Sequence, residues 1–289
     1  MSIVKAAQDN DLMLVKELIK EASQESIKEA FFQSCRKGQF EMIKALIEEG
    51  VDINKEEHNS HMTPLFITSY FGYLEIVKYL IENGASVNNP ITPPLFGASM
   101  RGQFSIVKLL LEKGANINTE DNNNMTPLFI ASYFGYLEIV KYLIEHGANV
   151  NCQRTPLFGA SIKGQLEIAQ ILIENGADIH QSDFFFNLTP ICMATNNGHF
   201  ELVKYFIQHN ETQTSKRNLF HLSCLKKHKN IALFLLNMDP MLSIDIQTGK
   251  MNDLNVIDFY YKSIAPFLKS KLYDALKLKK MTDCFLQFE

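Results

Sequence analysis

The sequence is poor in the features that mark several common classes of protein. Its five cysteines, Cys35, Cys152, Cys192, Cys224 and Cys284, are odd in number and form no CxxC pair, which disfavours a secreted disulfide framework and fits reduced thiols. It lacks the basic excess of a nucleic-acid module, since 28 Lys and Arg face 32 Asp and Glu for a net charge of -4, so no nucleic-acid partner is expected. No stretch approaches the ~20 apolar residues that span a bilayer. The opening MSIVKAAQDNDLM turns acidic before an apolar core can form, so no secretory signal is expected and the expected compartment is the cytoplasm. A Gly-rich phosphate loop, a GxSxG elbow and a kinase signature are all missing. With 46% hydrophobic and 21% charged residues over 289 positions, the chain nevertheless has ample material to fold.

What it does have is internal repetition. Residues 62–88 (MTPLFITSYFGYLEIVKYLIENGASVN) return at 125–151, changed only at Thr68/Ala131, Asn83/His146 and Ser86/Asn149. The intervening PPLFGASMRGQFSIVKLLLEKGANIN (93–118) returns as TPLFGASIKGQLEIAQILIENGADIH (155–180). The copied block was therefore a pair of units, not one. A glycine ruler runs through Gly38, Gly72, Gly102, Gly135, Gly164 and Gly198, with Asn10 and Lys227 in the equivalent places at either end, and its spacings of 28, 34, 30, 33, 29, 34 and 29 residues define eight units.

The spacing centres near 33 residues, and Thr63-Pro64-Leu65-Phe66, Thr126-Pro127-Leu128-Phe129 and Thr155-Pro156-Leu157-Phe158 carry a Thr-Pro-Leu signature, with Thr189-Pro190-Ile191 a looser copy. In these respects the chain resembles the ankyrin-repeat family. The resemblance implies an all-α solenoid of stacked helix pairs with hairpin fingers between them. Units fall near 1–25, 26–61, 62–91, 92–124, 125–153, 154–187, 188–216 and 217–239, and residues 240–289 form a degenerate repeat with capping helices. Local chemistry agrees: each Thr can cap a helix whose first turn holds the Pro. Leu74, Val77, Leu80 and Ile81 make one apolar face of the second helix, which Gly84 ends. The fingers alternate, long at 54–62, 118–125 and 180–188 and short at 88–92 and 151–154. The family's His after Thr-Pro-Leu is Phe66, Phe96, Phe129 and Phe158 here, which exchanges a hydrogen bond for apolar packing. Asn54, with Asp52 and Leu46, resembles the asparagine that is hydroxylated in members of the family.

Candidate chemistry is sparse. His58 and His61 have the spacing of two ligands on a turn, but no further pattern completes a site and no metal or cofactor is assigned. Cys224 near His221 and His228, and Cys192 near His199, read as small thiols in repeat helices, not as nucleophiles. Charge is uneven: residues 1–214 carry 16 basic and 25 acidic groups, residues 215–289 carry 12 and 7. The basic end, with Lys269, Lys271, Lys277, Lys279 and Lys280, reads first as a solvated cap and second as a face that attracts an acidic protein, an anionic lipid surface or nucleic acid. The alternative function for the chain is an enzyme or enzyme regulator acting through this segment.

The preferred reading is a monomeric, non-catalytic scaffold for a partner protein or peptide. The resemblance places the binding stripe at the residues flanking the ruler glycines, facing the concave groove: Tyr70, Phe71, Tyr73, Arg101, Gln103, Tyr133, Phe134, Tyr136, Lys163 and Gln165. Rings beside cations suit a partner with apolar and acidic groups. A second expected contact is the finger run at Phe184 and Phe185, where a loop would ordinarily be polar. Recently copied repeat pairs in a chain rich in Phe, Asn, Ile and Lys resemble ankyrin proteins of intracellular bacteria, large viruses and protists, which implies a host-directed effector, delivered by a signal-less route, as one role.

Overall fold

A computed structural model describes residues 2–58, 60–184, 186–209, 216–239, 242 and 260–264. All regular structure among them is helical. Sixteen α-helices pair off along the chain: α1 (Ile3–Gln8) with α2 (Leu12–Leu18), α3 (Gln24–Lys37) with α4 (Phe40–Glu48), α5 (Pro64–Phe71) with α6 (Leu74–Glu82), and α7 (Pro94–Met100) with α8 (Phe104–Glu112). The series continues with α9 (Pro127–Phe134) and α10 (Leu137–Glu145), α11 (Pro156–Lys163) and α12 (Leu166–Glu174), α13 (Pro190–Asn197) and α14 (Phe200–Gln208), and α15 (Lys216–Leu225) and α16 (Lys229–Met238). These pairs are numbered repeats 1 to 8. No described helix is long and apolar enough to cross a membrane.

The chain forms two compact units, residues 1–160 with 167–177, and residues 161–166 with 178–289. In the first, α1 packs on α3, α3 on α5, α5 on α7 and α7 on α9, while α6 and α10 both lie against α8. In the second, α13 packs on α15, α14 on α16, and a π-helical turn at Tyr260–Ile264 packs on α16. Leu235, Leu236, Leu242 and Ile264 are buried there, whereas Leu222 is half-buried. The capping helices expected over the remainder of 240–289 lie outside the described residues.

Local sequence explains the helix ends. Thr63, Thr126 and Thr155 each accept a hydrogen bond from the backbone N–H three residues on, at 3.1 Å, a cap worth about 1 kcal/mol. The first helices of repeats 1 and 2, which lack Thr-Pro, start at Ser2 and Ser23, whose hydroxyls accept from Lys5 and Ser26. Pro93 begins α7 with no side-chain cap, and Thr189 precedes Pro190 without making the bond. The tight link between paired helices requires a left-handed residue. Gly72 supplies it at φ 90°, and a Cβ there would lie 2.6 Å from the Gln103 amide. Asn10 and Lys227 hold the same place at φ 58° and 63°, accepting strain that glycine avoids.

The first helices of repeats 3 to 6 bury Phe66, Phe96, Phe129 and Phe158, in line with the apolar exchange for histidine. The next position alternates Ile67, Gly97, Ile130, Gly159. The glycines are mid-helix, where they ordinarily weaken a helix by about 1 kcal/mol relative to Ala. Their reason is steric: a Cβ on Gly97 would meet the Phe66 ring at 2.9 Å, and one on Gly159 the Phe129 carbonyl at 3.1 Å and ring at 3.2 Å. The two members of a copied block are thus made for each other.

Asparagines tie the finger bases. Asn54 Nδ2 donates to the Gly84 carbonyl and its Oδ1 accepts from Ser86 N–H; Asn88 makes the same two bonds to Gly114 and Asn116. Asn118 accepts from Asn149 N–H, and Asn151 Nδ2 donates to the Gly176 carbonyl. The carboxamide of Asn54 is therefore committed to the following repeat.

Candidate functional site

The aromatic residues of the expected stripe lie in the first unit and form, with Phe66 and Phe129, two four-ring runs. In repeat 3, Phe66 stacks near Tyr70 (centroids 6.2 Å), Tyr70 meets Phe71 edge-on (5.3 Å, 86°), and Phe71 lies parallel to Tyr73 (6.1 Å). Repeat 5 reproduces this with Phe129, Tyr133, Phe134 and Tyr136 at 6.5, 5.0 and 6.0 Å. Each run begins buried and reaches the surface at its third ring: Phe66 and Phe129 are in the core, whereas Phe71 is 44% and Phe134 45% exposed. At that exposure neither Phe71 nor Phe134 is packed away between helices. Contacts of this geometry add to simple burial and pre-orient the outer rings.

Arg101, at the end of α7, reaches back to place its guanidinium 5.1 Å from the Tyr70 ring centre. It is exposed, and among the described residues no carboxylate faces it. In the second run the guanidinium is Arg154, 5.0 Å from Phe129. Beside the first run lies a cleft of about 460 Å³ walled by Met62, Phe66, Ile67, Tyr70, Phe71 and Met100. Arg36 closes its rim in an ion pair with Glu57, which also accepts from the Ser60 hydroxyl. Burial pushes the Glu57 carboxyl up, but the Arg36 and Ser60 hydrogen bonds and the guanidinium charge outweigh it, holding it below the usual carboxylate range.

The residues after the ruler glycines carry a structural duty the sequence reading did not assign. The Tyr73 ring covers Gly38 of the preceding repeat and its hydroxyl donates to the Arg36 carbonyl at 3.0 Å. Tyr136 covers Gly102, and Gln103 covers Gly72. Gln39 donates to the Ala7 carbonyl. In the second unit His199 covers Gly164 and bonds the Ile162 carbonyl at 2.9 Å, and His228 covers Gly198 and bonds the Asn196 carbonyl at 2.9 Å. Tyr73, Gln103 and Tyr136 are half-buried ties between repeats as well as neighbours of the stripe. Their common signal is a column of long side chains ending in a hydrogen-bonding group.

Lys163 is exposed and Gln165 half-buried, both in the second unit. In the finger of that unit Phe184 is 69% and Phe186 54% exposed; Phe185 lies outside the described residues. Asp183 N–H bonds the Leu188 carbonyl and Asp183 Oδ1 accepts from Phe186 N–H, closing the turn that presents them.

The remaining chemistry is structural in character. His61 pairs with Glu56 at 3.1 Å, and among the described residues no three His, Cys, Asp or Glu side chains converge on one point. Burial pushes the thiols of Cys35 and Cys152 up and that of Cys224 to about 12, which keeps them protonated and poor nucleophiles at neutral pH.

A family profile described as "Ankyrin repeats (3 copies)" matches residues 3–91, 95–183 and 180–248. No curated protein matches the sequence significantly. Among solved structures, the crystal structure of the human ASB11 ankyrin repeat domain is similar, at 27% identity and a TM-score of 0.58, over 67% of this chain and 91% of that one. Paired helices, Thr-Pro caps, left-handed link residues and asparagine-tied fingers recur along the residues this profile matches, and the chain belongs to the ankyrin-repeat family.

Proposed function

We propose that this chain binds a protein or peptide on the face formed by the ends of its first helices, with Tyr70, Phe71, Arg101, Tyr133 and Phe134 as the principal contacts. Ankyrin repeats generally mediate protein–protein interaction, and proteins built from them are typically non-catalytic scaffolds. The observation that carries the reading is the pair of matching aromatic runs, each emerging from the core to a half-exposed phenylalanine. Rings anchored in this way lose little conformational freedom on binding, and large aromatic residues with arginine dominate interface energetics. Arg101 adds a cation for a carboxylate, so the partner combines apolar anchors with Asp or Glu. The finger residues Phe184 and Phe185 are proposed as a second contact. The scaffold acts as a monomer in the cytoplasm, without a metal or cofactor. Buried, protonated thiols support a non-catalytic role.

The test is to replace Tyr70, Arg101 and Tyr133 together by alanine and to measure capture of partners by quantitative pull-down beside a circular-dichroism melt. Loss of capture with a melt within a few degrees of wild type is expected; retained capture would remove the stripe from consideration. Phe184→Ser, measured in the same way, tests the finger.

A further inference from the structure

The two aromatic runs are separated by one repeat of different character, and that arrangement sets a spacing. Resting on the binding reading above, we propose that the ligand is an extended acidic segment with two apolar anchors six residues apart, one engaging each run, and a carboxylate between them for Arg101. Neighbouring helices pack roughly 8–10 Å apart, so equivalent points in repeats 3 and 5 lie roughly 16–20 Å apart along the stack. An extended chain advances about 3.3 Å per residue, which covers that distance in about five or six residues. Side chains alternate sides along such a chain, so only an even number brings both anchors to the same face. Six satisfies both conditions.

Charge fixes what stands between the anchors. Arg101 belongs to the intervening repeat, is exposed, and sits over the Tyr70 ring. A carboxylate two residues from the anchor at Tyr70 and Phe71 lies on the same side of the chain and within reach of the guanidinium. The ring contacts of the two runs agree to within 0.3 Å in centroid distance, so each run offers the same arrangement of rings to its anchor. Joining two such contacts through one short segment makes the second contact intramolecular and raises affinity well above that of either alone.

The probe is the capped peptide Ser-Phe-Ser-Glu-Ser-Glu-Ser-Phe-Ser, whose two glutamates allow either chain direction. It is titrated into the full chain by fluorescence anisotropy or calorimetry beside relatives with phenylalanines five and seven residues apart and one with lysines for glutamates. The six-residue peptide is expected to bind about ten-fold or more tighter than each of these. Phe71→Gln and Phe134→Gln, at half-exposed positions that spare the fold, should each reduce it to the affinity of a one-anchor peptide. Arg101→Ala should erase the preference for glutamate over lysine. Equal binding at all three spacings, indifference to either glutamine variant, or better binding by a helical peptide with anchors eleven residues apart would overturn the spacing while leaving the stripe standing. No binding by any peptide at about millimolar concentration would overturn both.

Discussion

Repeats 3 and 5 and the repeat between them solve the same packing problem in opposite ways. The outer two place isoleucine at 67 and 130 and carry Tyr-Phe before the link glycine. Repeat 4 places glycine at 97 and carries Met100-Arg101. Where glycine stands, the preceding repeat's phenylalanine closes over the helix, and that phenylalanine is the buried root of an aromatic run. The difference shows that core and surface are coupled here: the small residue in one repeat seats the ring that orients the exposed rings of its neighbour.

Exchanging the two solutions should be damaging in both directions. Ile130→Gly empties a buried site and adds a mid-helix glycine, and should lower stability by about 3–5 kcal/mol. Gly97→Ile forces a branched side chain against the Phe66 ring and should lose about 1–3 kcal/mol. Urea midpoints followed by far-UV circular dichroism would measure both. An unchanged midpoint for Gly97→Ile would mean that Phe66 can leave its seat.

A smaller effect separates the ties. Tyr73→Phe keeps the ring over Gly38 but removes the hydroxyl that donates to the Arg36 carbonyl, which should lower stability by about 0.5–1.5 kcal/mol. The same melts would detect it, with faster hydrogen exchange at the end of α3 as the local signature.

The smallest effect distinguishes the two aromatic runs from each other. Arg36 and Glu57 flank only the first, since Met100 takes the place of Arg36 before the second. Glu57 has a depressed carboxyl pKa in the folded chain, so its contribution is present above the unfolded value near 4.5 and is lost as pH falls from there through the folded value. The melting temperatures of wild type and Glu57→Gln should therefore differ at pH 6 and converge in acid, measured by differential scanning fluorimetry.

Much of this organisation is legible in the chain because it obeys short-range rules. Thr63 with Pro64 announces a helix start within three residues, and Gly72 announces its end. The paired helices and the exposed phenylalanine in the long finger at 184 follow from such local signals. What the sequence reading missed acts across repeats. The Tyr73 hydroxyl meets a carbonyl 37 residues away, so nothing adjacent points to it, although the column Gln39, Tyr73, Gln103, Tyr136, Gln165, His199, His228 holds only hydrogen-bonding side chains. The seat for Phe66 was likewise present as the alternation of Ile and Gly, but its meaning depends on which ring arrives from the preceding repeat. The Arg36 to Glu57 pair joins a helix end to a finger, a pairing that spacing alone does not select.

The near-identity of the copied blocks gives the chain a modular length. Excising residues 62–124 would bring Met125 directly after His61, and Gly38 would then meet Tyr136 in place of Tyr73. The finger closed by Glu57 would bond Met125 where it bonded Met62. Of the three positions that differ between the copies, Thr68 turns its hydroxyl onto its own helix, at the carbonyls of Pro64 and Leu65, so alanine there leaves no partner stranded. Recombination at this seam therefore changes how many aromatic runs the surface displays without introducing an unfamiliar joint, and the number of ligand anchors can grow or shrink by whole blocks while the stacking chemistry stays the same.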